Sequence, residues 1–121
     1  MPSVAILVVE DEPALRKMVA TFLREEGYAV HEAATGQEAL VLIERELPDV
    51  LLLDTSLPDI RDEEVVAYVH EQGIASKILV MTAAREVRQA ARRLHADGYV
   101  AKPFSLLQVL HALKRLHPRA A

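Results

Sequence analysis

The chain contains no cysteine, which removes disulfides, thiolate metal sites and cysteine nucleophiles together. No stretch approaches the ~18 apolar residues of a membrane helix. Met1-Pro2-Ser3 leads into an apolar segment with neither the basic start nor the long apolar core of a secretion signal. A soluble, cytoplasmic protein without membrane contact is the expectation. Linkers, repeats and low-complexity tracts are also missing. With 121 residues the chain suffices for one ordinary domain, which buries roughly two-thirds of its unfolded surface and needs no staples. A single domain over residues 1–121, with no effector domain in this chain, is expected.

Basic residues are scarce where acids are dense. Residues 1–84 hold 6 Lys/Arg against 16 Asp/Glu, whereas residues 85–121 hold 8 against 2. The net charge of −4 conceals that split. An asymmetry of this size shapes the long-range field and the choice of partners.

What is present is a fivefold alternation of apolar runs and helical patterns, the sign of a βα-repeat sheet. The first run, residues 4–9, precedes Pro13, which suits the first turn of a helix. Leu15, Met18, Val19, Phe22 and Leu23 then form one apolar stripe. Gly27 ends that helix, and residues 28–32 read as a second strand. Thr35 and Glu38 have capping-box spacing and open a helix that runs to about Glu46, before Pro48. Residues 50–53 are apolar throughout, as in a central parallel strand buried on both faces. A third helix is expected over residues 63–72, ended by Gly73, and a fourth strand over residues 77–81. Val87, Ala90, Ala91 and Leu94 mark a fourth helix, and a short fifth strand covers residues 99–101. Ser105 and Gln108 form a second capping box at the start of the last helix. Right-handed crossovers then allow a doubly wound five-stranded parallel sheet of order 2-1-3-4-5.

The chemistry sits at the ends of these runs. Glu10 and Asp11 follow the first strand, Asp54 the third, Thr82 the fourth and Lys102 the fifth. Ligands bind at the carboxyl edge of such sheets, and the switch point between strands one and three puts Glu10 and Asp11 beside Asp54. Alone, an Asp after a strand is a turn residue, Thr82 a helix cap and Lys102 a solvated lysine. Jointly they form a pocket of three carboxylates, a hydroxyl and an ammonium. Unpaired burial of three carboxylates costs several kcal/mol, and a divalent ion resolves the conflict. Mg²⁺ takes oxygen ligands of this kind; no histidine stands at these strand ends, against zinc. A carboxylate can also attack a phosphoryl donor to give an acyl phosphate.

At these residues the chain resembles the receiver domain of bacterial two-component response regulators, a flavodoxin-like (βα)5 fold. The resemblance rests on Val8-Val9-Glu10-Asp11-Glu12-Pro13, on Pro48-Asp49 before Leu52-Leu53-Asp54, and on Leu57-Pro58-Asp59. Met81-Thr82-Ala83 and Tyr99-Val100-Ala101-Lys102-Pro103-Phe104 complete it. It implies Asp54 as phospho-acceptor, Asp11 as a direct Mg²⁺ ligand, Glu10 as a ligand through water, and the Ser56 backbone carbonyl as another. Lys102 would pair with the acceptor and then the phosphoryl group. Thr82 would move to a phosphoryl oxygen, and Tyr99 would swing inward behind it. The implied activity is a signalling switch that assists its own phosphorylation and dephosphorylation rather than an enzyme. Its implied donor is a histidine kinase or phosphotransfer protein. Its downstream partner would dock at the face of helix four, strand five and helix five, and self-association as a homodimer is a further expectation. Arg85, Arg88 and Arg92 share one side of helix four with Arg93 beside them, a surface for an acidic protein. No specific nucleic-acid binding is expected, since a bare receiver lacks a groove-reading element or a stacking surface. The alternative reading is a pseudo-receiver that binds partners without phosphorylation; the intact set of five residues counts against it.

Four positions depart from the family pattern. Asp62 stands where a glycine is common eight residues after the acceptor, and His95 where a glycine commonly ends helix four. Gly98 and Ala112 replace an acid and an arginine that pair on the dimer face of many receivers attached to winged-helix domains, which disfavours that subclass. The resemblance also raises the prior for a cis Lys102-Pro103 bond.

Overall fold

The computed structural model describes residues 3–118. Five strands and five helices alternate: β1 (Ala5–Val9), α1 (Pro13–Glu25), β2 (Ala29–Ala33), α2 (Gly36–Glu46), β3 (Val50–Asp54), α3 (Asp62–Glu71), β4 (Lys77–Ala83), α4 (Val87–Leu94), β5 (Gly98–Lys102) and α5 (Leu106–Leu116). A 3₁₀ turn, Ala84–Glu86, joins β4 to α4. All strand pairs are parallel, in the order β2-β1-β3-β4-β5. The expected doubly wound sheet is what the chain forms.

Alternating strand residues feed two cores. Ile6, Val8, Leu52, Leu79 and Met81 pack with Val19, Leu23, Val109 and Leu113 of α1 and α5. Leu7, Val9, Leu51, Leu53, Ile78 and Val80 pack with Ile43, Val65, Val69, Ala90 and Leu94 of α2, α3 and α4. Every residue of β3 is buried, each leucine there contributing roughly 1.5–3 kcal/mol of transfer free energy. This buried strand is the rigid mount for Asp54.

The ends of the elements follow their local chemistry. Pro13 occupies the first turn of α1. Thr35 Oγ1 accepts the Glu38 N–H at 3.1 Å, while Glu38 reaches past the cap to the N–H of Ala34. Ser105 and Gln108 make both halves of their capping box. Gly27 and Gly73 take positive φ after α1 and α3, as their placement predicts. His95 does the same after α4 at φ 53°, so the left-handed turn is kept without glycine. Asp62 needs no glycine either: Arg61 before it has φ −78° and Asp62 opens α3. The Lys102-Pro103 bond is cis.

Two boundaries differ from the sequence reading in a way that matters. β4 continues to Ala83, because Thr82 and Ala83 pair with Ala101 and Lys102. Thr82 therefore lies inside a strand, and α4 starts only at Val87 with no side-chain cap. Arg85 falls in the 3₁₀ turn, outside α4.

Gly36, first in α2, leaves room for the loop after β3. A methyl group there would overlap Ile60 and meet Asp59 Oδ1 at 3.3 Å. Asp59 accepts the N–H groups of Gly36 and Gln37 at 2.8 and 2.9 Å, so the loop is tied to the N-terminus of α2. Gly36→Ala should lower stability by about 1–3 kcal/mol through overpacking, read as a depressed Tm. An unchanged Tm would mean that the loop yields without cost.

Candidate functional site

Register brings the site together. Val9 pairs with Leu53, and Asp54 with Met81. One residue beyond the Val9–Leu53 rung, Glu10 and Asp54 therefore stand side by side. Both are buried, at 2% and 1% exposure. Asp11 is exposed at the rim. One carboxylate oxygen from each of Glu10, Asp11 and Asp54 can be chosen so that all three lie within 4.8 Å of one another.

Lys102 arrives from the end of β5. Its Nζ donates to Asp54 Oδ1 at 2.9 Å and to Glu10 Oε1 at 3.3 Å. Burial alone would depress this amine, but the bond and charge of Asp54, then Glu10, outweigh it and raise its pKa. The charge remains unbalanced. Asp54 Oδ2 is buried and has no hydrogen-bond partner among the described residues. Burial first, and the Asp54 charge second, push Glu10 up to about 7. An orphaned carboxylate oxygen beside two further carboxylates fits a hard divalent cation.

Thr82 is buried as well, and its hydroxyl accepts a bond from Thr55 Oγ1 at 3.2 Å. The sequence reading overlooked Thr55. The signal was there: parallel pairing of β3 with β4 sets the residue after Asp54 beside the residue after Met81. Ser56 is exposed just past the end of β3. Tyr99 packs against the α2–α4 core. Its hydroxyl accepts the Ala96 N–H at 3.0 Å and donates to the Ala91 carbonyl at 3.2 Å. This ring is anchored under the end of α4.

Comparison with known proteins decides the family. A family-wide profile described as the response regulator receiver domain matches residues 6–114. The chain belongs to that family. Among curated relatives, the probable transcriptional regulatory protein TcrX of Mycobacterium tuberculosis is 38% identical over 115 residues, covering 93% of this chain and 49% of TcrX. Response regulator MprA of Mycobacterium bovis is 38% identical over 116 residues, 94% of this chain and 50% of MprA. The chain thus spans about half the length of the curated relatives it matches. Among solved structures, the chemotaxis response regulator CheY4 of Vibrio cholerae superposes with a TM-score of 0.86 at 31% identity, covering 95% of this chain and 99% of CheY4. The receiver domain of the putative LuxO repressor of Vibrio parahaemolyticus gives a TM-score of 0.90 at 26% identity, covering 98% of this chain and 93% of that one.

This receiver domain also gives its departures physical reasons. A methyl group at Gly98 would meet Leu79 at 3.1 Å, and Ala112 is 3% exposed. Both positions face packed side chains, so neither suits a surface ion pair. Asp62 is buried and bound by Arg93 of α4 through two hydrogen bonds. That pairing engages Arg93, although its side chain stays 40% exposed beside the other arginines of α4.

The raised Glu10 carboxyl sets a pH dependence for the metal-free protein. Its folded pKa lies above its unfolded value, so between pH ~4.5 and ~7 the folded state binds more protons. Lys102 stays charged throughout, and Asp54 is the facing carboxylate. Stability should therefore fall as pH rises through this window, by on the order of 2 kcal/mol. Urea unfolding in chelator at several pH values measures it, and Glu10→Gln should flatten the slope. Equal slopes in the two proteins would refute the assignment to Glu10.

Proposed function

We propose that this receiver domain accepts a phosphoryl group on Asp54 from a histidine kinase or phosphotransfer protein, with Mg²⁺ as cofactor. One observation carries the reading: Asp54 is buried with one oxygen held by Lys102 and the other unpartnered, beside Glu10 and Asp11. Asp11, Asp54 and the Ser56 carbonyl would hold the ion, with Glu10 bound through water. Bound there, Mg²⁺ supplies charge neutralisation for phosphoryl oxygens.

An Asp54 oxygen forms the new P–O bond while the P–N bond of a phosphohistidine donor breaks, and the imidazole leaves and takes a proton. Lys102 then holds the phosphorylated product, a contact that stabilises charge rather than one that attacks. Thr82 must give up its bond to Thr55 before its hydroxyl can reach a phosphoryl oxygen. Tyr99 must likewise exchange its bonds at Ala91 and Ala96 if it is to move. Those exchanges bias two states of the face built by α4, β5 and α5, which serves as the downstream docking surface. The domain is a switch, not a turnover enzyme.

Acid-quenched labelling with acetyl phosphate and Mg²⁺ tests the acceptor. Asp54→Ala should lose all label, whereas Asp49→Ala, whose carboxylate accepts the Ala5 N–H far from this edge, should keep it. Label that persists in Asp54→Ala would remove the central claim.

The output face carries exposed basic groups. Arg88 and Arg92 of α4 are exposed and make no ion pair among the described residues, and Lys114 and Arg115 are exposed on α5. An acidic protein surface is the complementary partner. Reversing Arg88 and Arg92 to Glu should leave Asp54 labelling intact yet weaken partner binding roughly tenfold or more, with wild-type affinity falling as salt rises. A cognate partner bound as tightly by the double reversal would relegate the patch to solvent.

A further inference from the structure

An ion pair whose acidic partner is buried joins two elements on the acceptor side of the domain. The Asp62 side chain is 5% exposed. Its Oδ1 accepts Arg93 Nη1 at 2.9 Å and its Oδ2 accepts Arg93 Nη2 at 3.3 Å, a fork that fixes orientation as well as charge. Asp62 Oδ1 also accepts the Glu63 N–H at 2.9 Å, and Glu63 Oε1 lies 3.0 Å from the same Nη1. Arg93 belongs to the last turn of α4. The short loop of residues 55–61 connects Asp62 to Asp54, and its middle is tied to α2 through Asp59. The loop therefore has three fixings: β3 before it, α2 at its centre, α4 at its far end.

We propose that Arg93, acting through Asp62, is a positioning residue for the acceptor loop, so that the placement of α4 and cation binding at the Asp54 edge depend on each other. The inference rests on reading that edge as a Mg²⁺ site to which Ser56 contributes. Without Arg93, the buried Asp62 carboxylate loses its counter-charge, and the first turn of α3 must shift toward water to hydrate it. Ser56 lies between β3 and the Asp59 tether, so the shift reaches its carbonyl by pulling on that tether. The dependence is reciprocal: whatever displaces α4 alters the edge, and a cation at the edge restrains α4.

Mg²⁺ alone, titrated into the ¹⁵N-labelled chain, tests this without any phosphoryl transfer. In the wild type, amides of residues 55–61 and of the last turn of α4 should both shift. In Arg93→Gln the apparent Kd for Mg²⁺ should rise about three- to tenfold, and the α4 amides should cease to respond. Arg92→Gln, exposed on the same turn, should match the wild type. Arg93→Lys, which keeps the charge but not the fork, should fall between. Asp62→Asn/Arg93→Gln removes the stranded carboxylate should Arg93→Gln fold poorly, and it should lose the α4 response too. Wild-type Mg²⁺ affinity with an unchanged α4 response in the folded Arg93 variants overturns this inference alone. A wild-type chain that binds no Mg²⁺ overturns the acceptor-site reading and this inference with it.

Discussion

The rest of the structure is organised around an uneven charge balance at one edge of the sheet. Glu10 and Asp54 are both buried with a single ammonium, that of Lys102, between them, and Asp11 adds a third carboxylate beside them. Holding carboxylates out of water in this way costs several kcal/mol, a large part of what a domain this size has to spare. The two cores supply the difference. Buried leucines on both faces of β3 leave Asp54 no alternative position, and continuous pairing of β1 with β3 leaves Glu10 none. The strain of the site is thus electrostatic, stored by packing. A group that brings positive charge relieves it.

That same edge is bounded by loops whose freedom differs. The loop after β3 is held at Asp59 by two backbone N–H groups of α2 and at Asp62 by the Arg93 fork. The segment after β4 is held from its far end: the 3₁₀ turn and α4 begin without a side-chain cap, while Arg93 and the Tyr99 hydroxyl tie the end of α4. Motion is cheapest where restraints are fewest. The 3₁₀ turn between β4 and α4 is the least restrained part of this edge, and the loop after β3 is the most restrained.

Much of this was legible beforehand, for a definable reason. Strand ends show in the sequence as the last residue of an apolar run, and parallel topology sends all those ends to one edge. Glu10, Asp11, Asp54, Thr82 and Lys102 could therefore be grouped from position alone. What could not be read depended on register or on a neighbouring element. Thr55 meets Thr82 only because β3 and β4 pair with Asp54 opposite Met81. β4 outruns its apolar run because β5 continues to pair with it through Lys102. That extension shortens α4 and takes Arg85 off it. The acid at Asp62 read only as a missing glycine; its partner, 31 residues away, carries no local signal.

Arg93 also explains how the chain tolerates its divided charge. α3 opens on three acids in a row, Asp62, Glu63 and Glu64, and at ordinary ionic strength charges within ~8–10 Å are not screened from one another. Glycine at position 62 would avoid the problem. With Asp62 present, α4 must bring a cation to the same place, and its arginine-rich composition does so on one side while Arg88 and Arg92 stay exposed. One helix then pairs with the start of α3 through Arg93 and presents Arg88 and Arg92 to solvent. Charge segregation along the chain becomes, in the fold, an ion pair that joins the start of α3 to the end of α4.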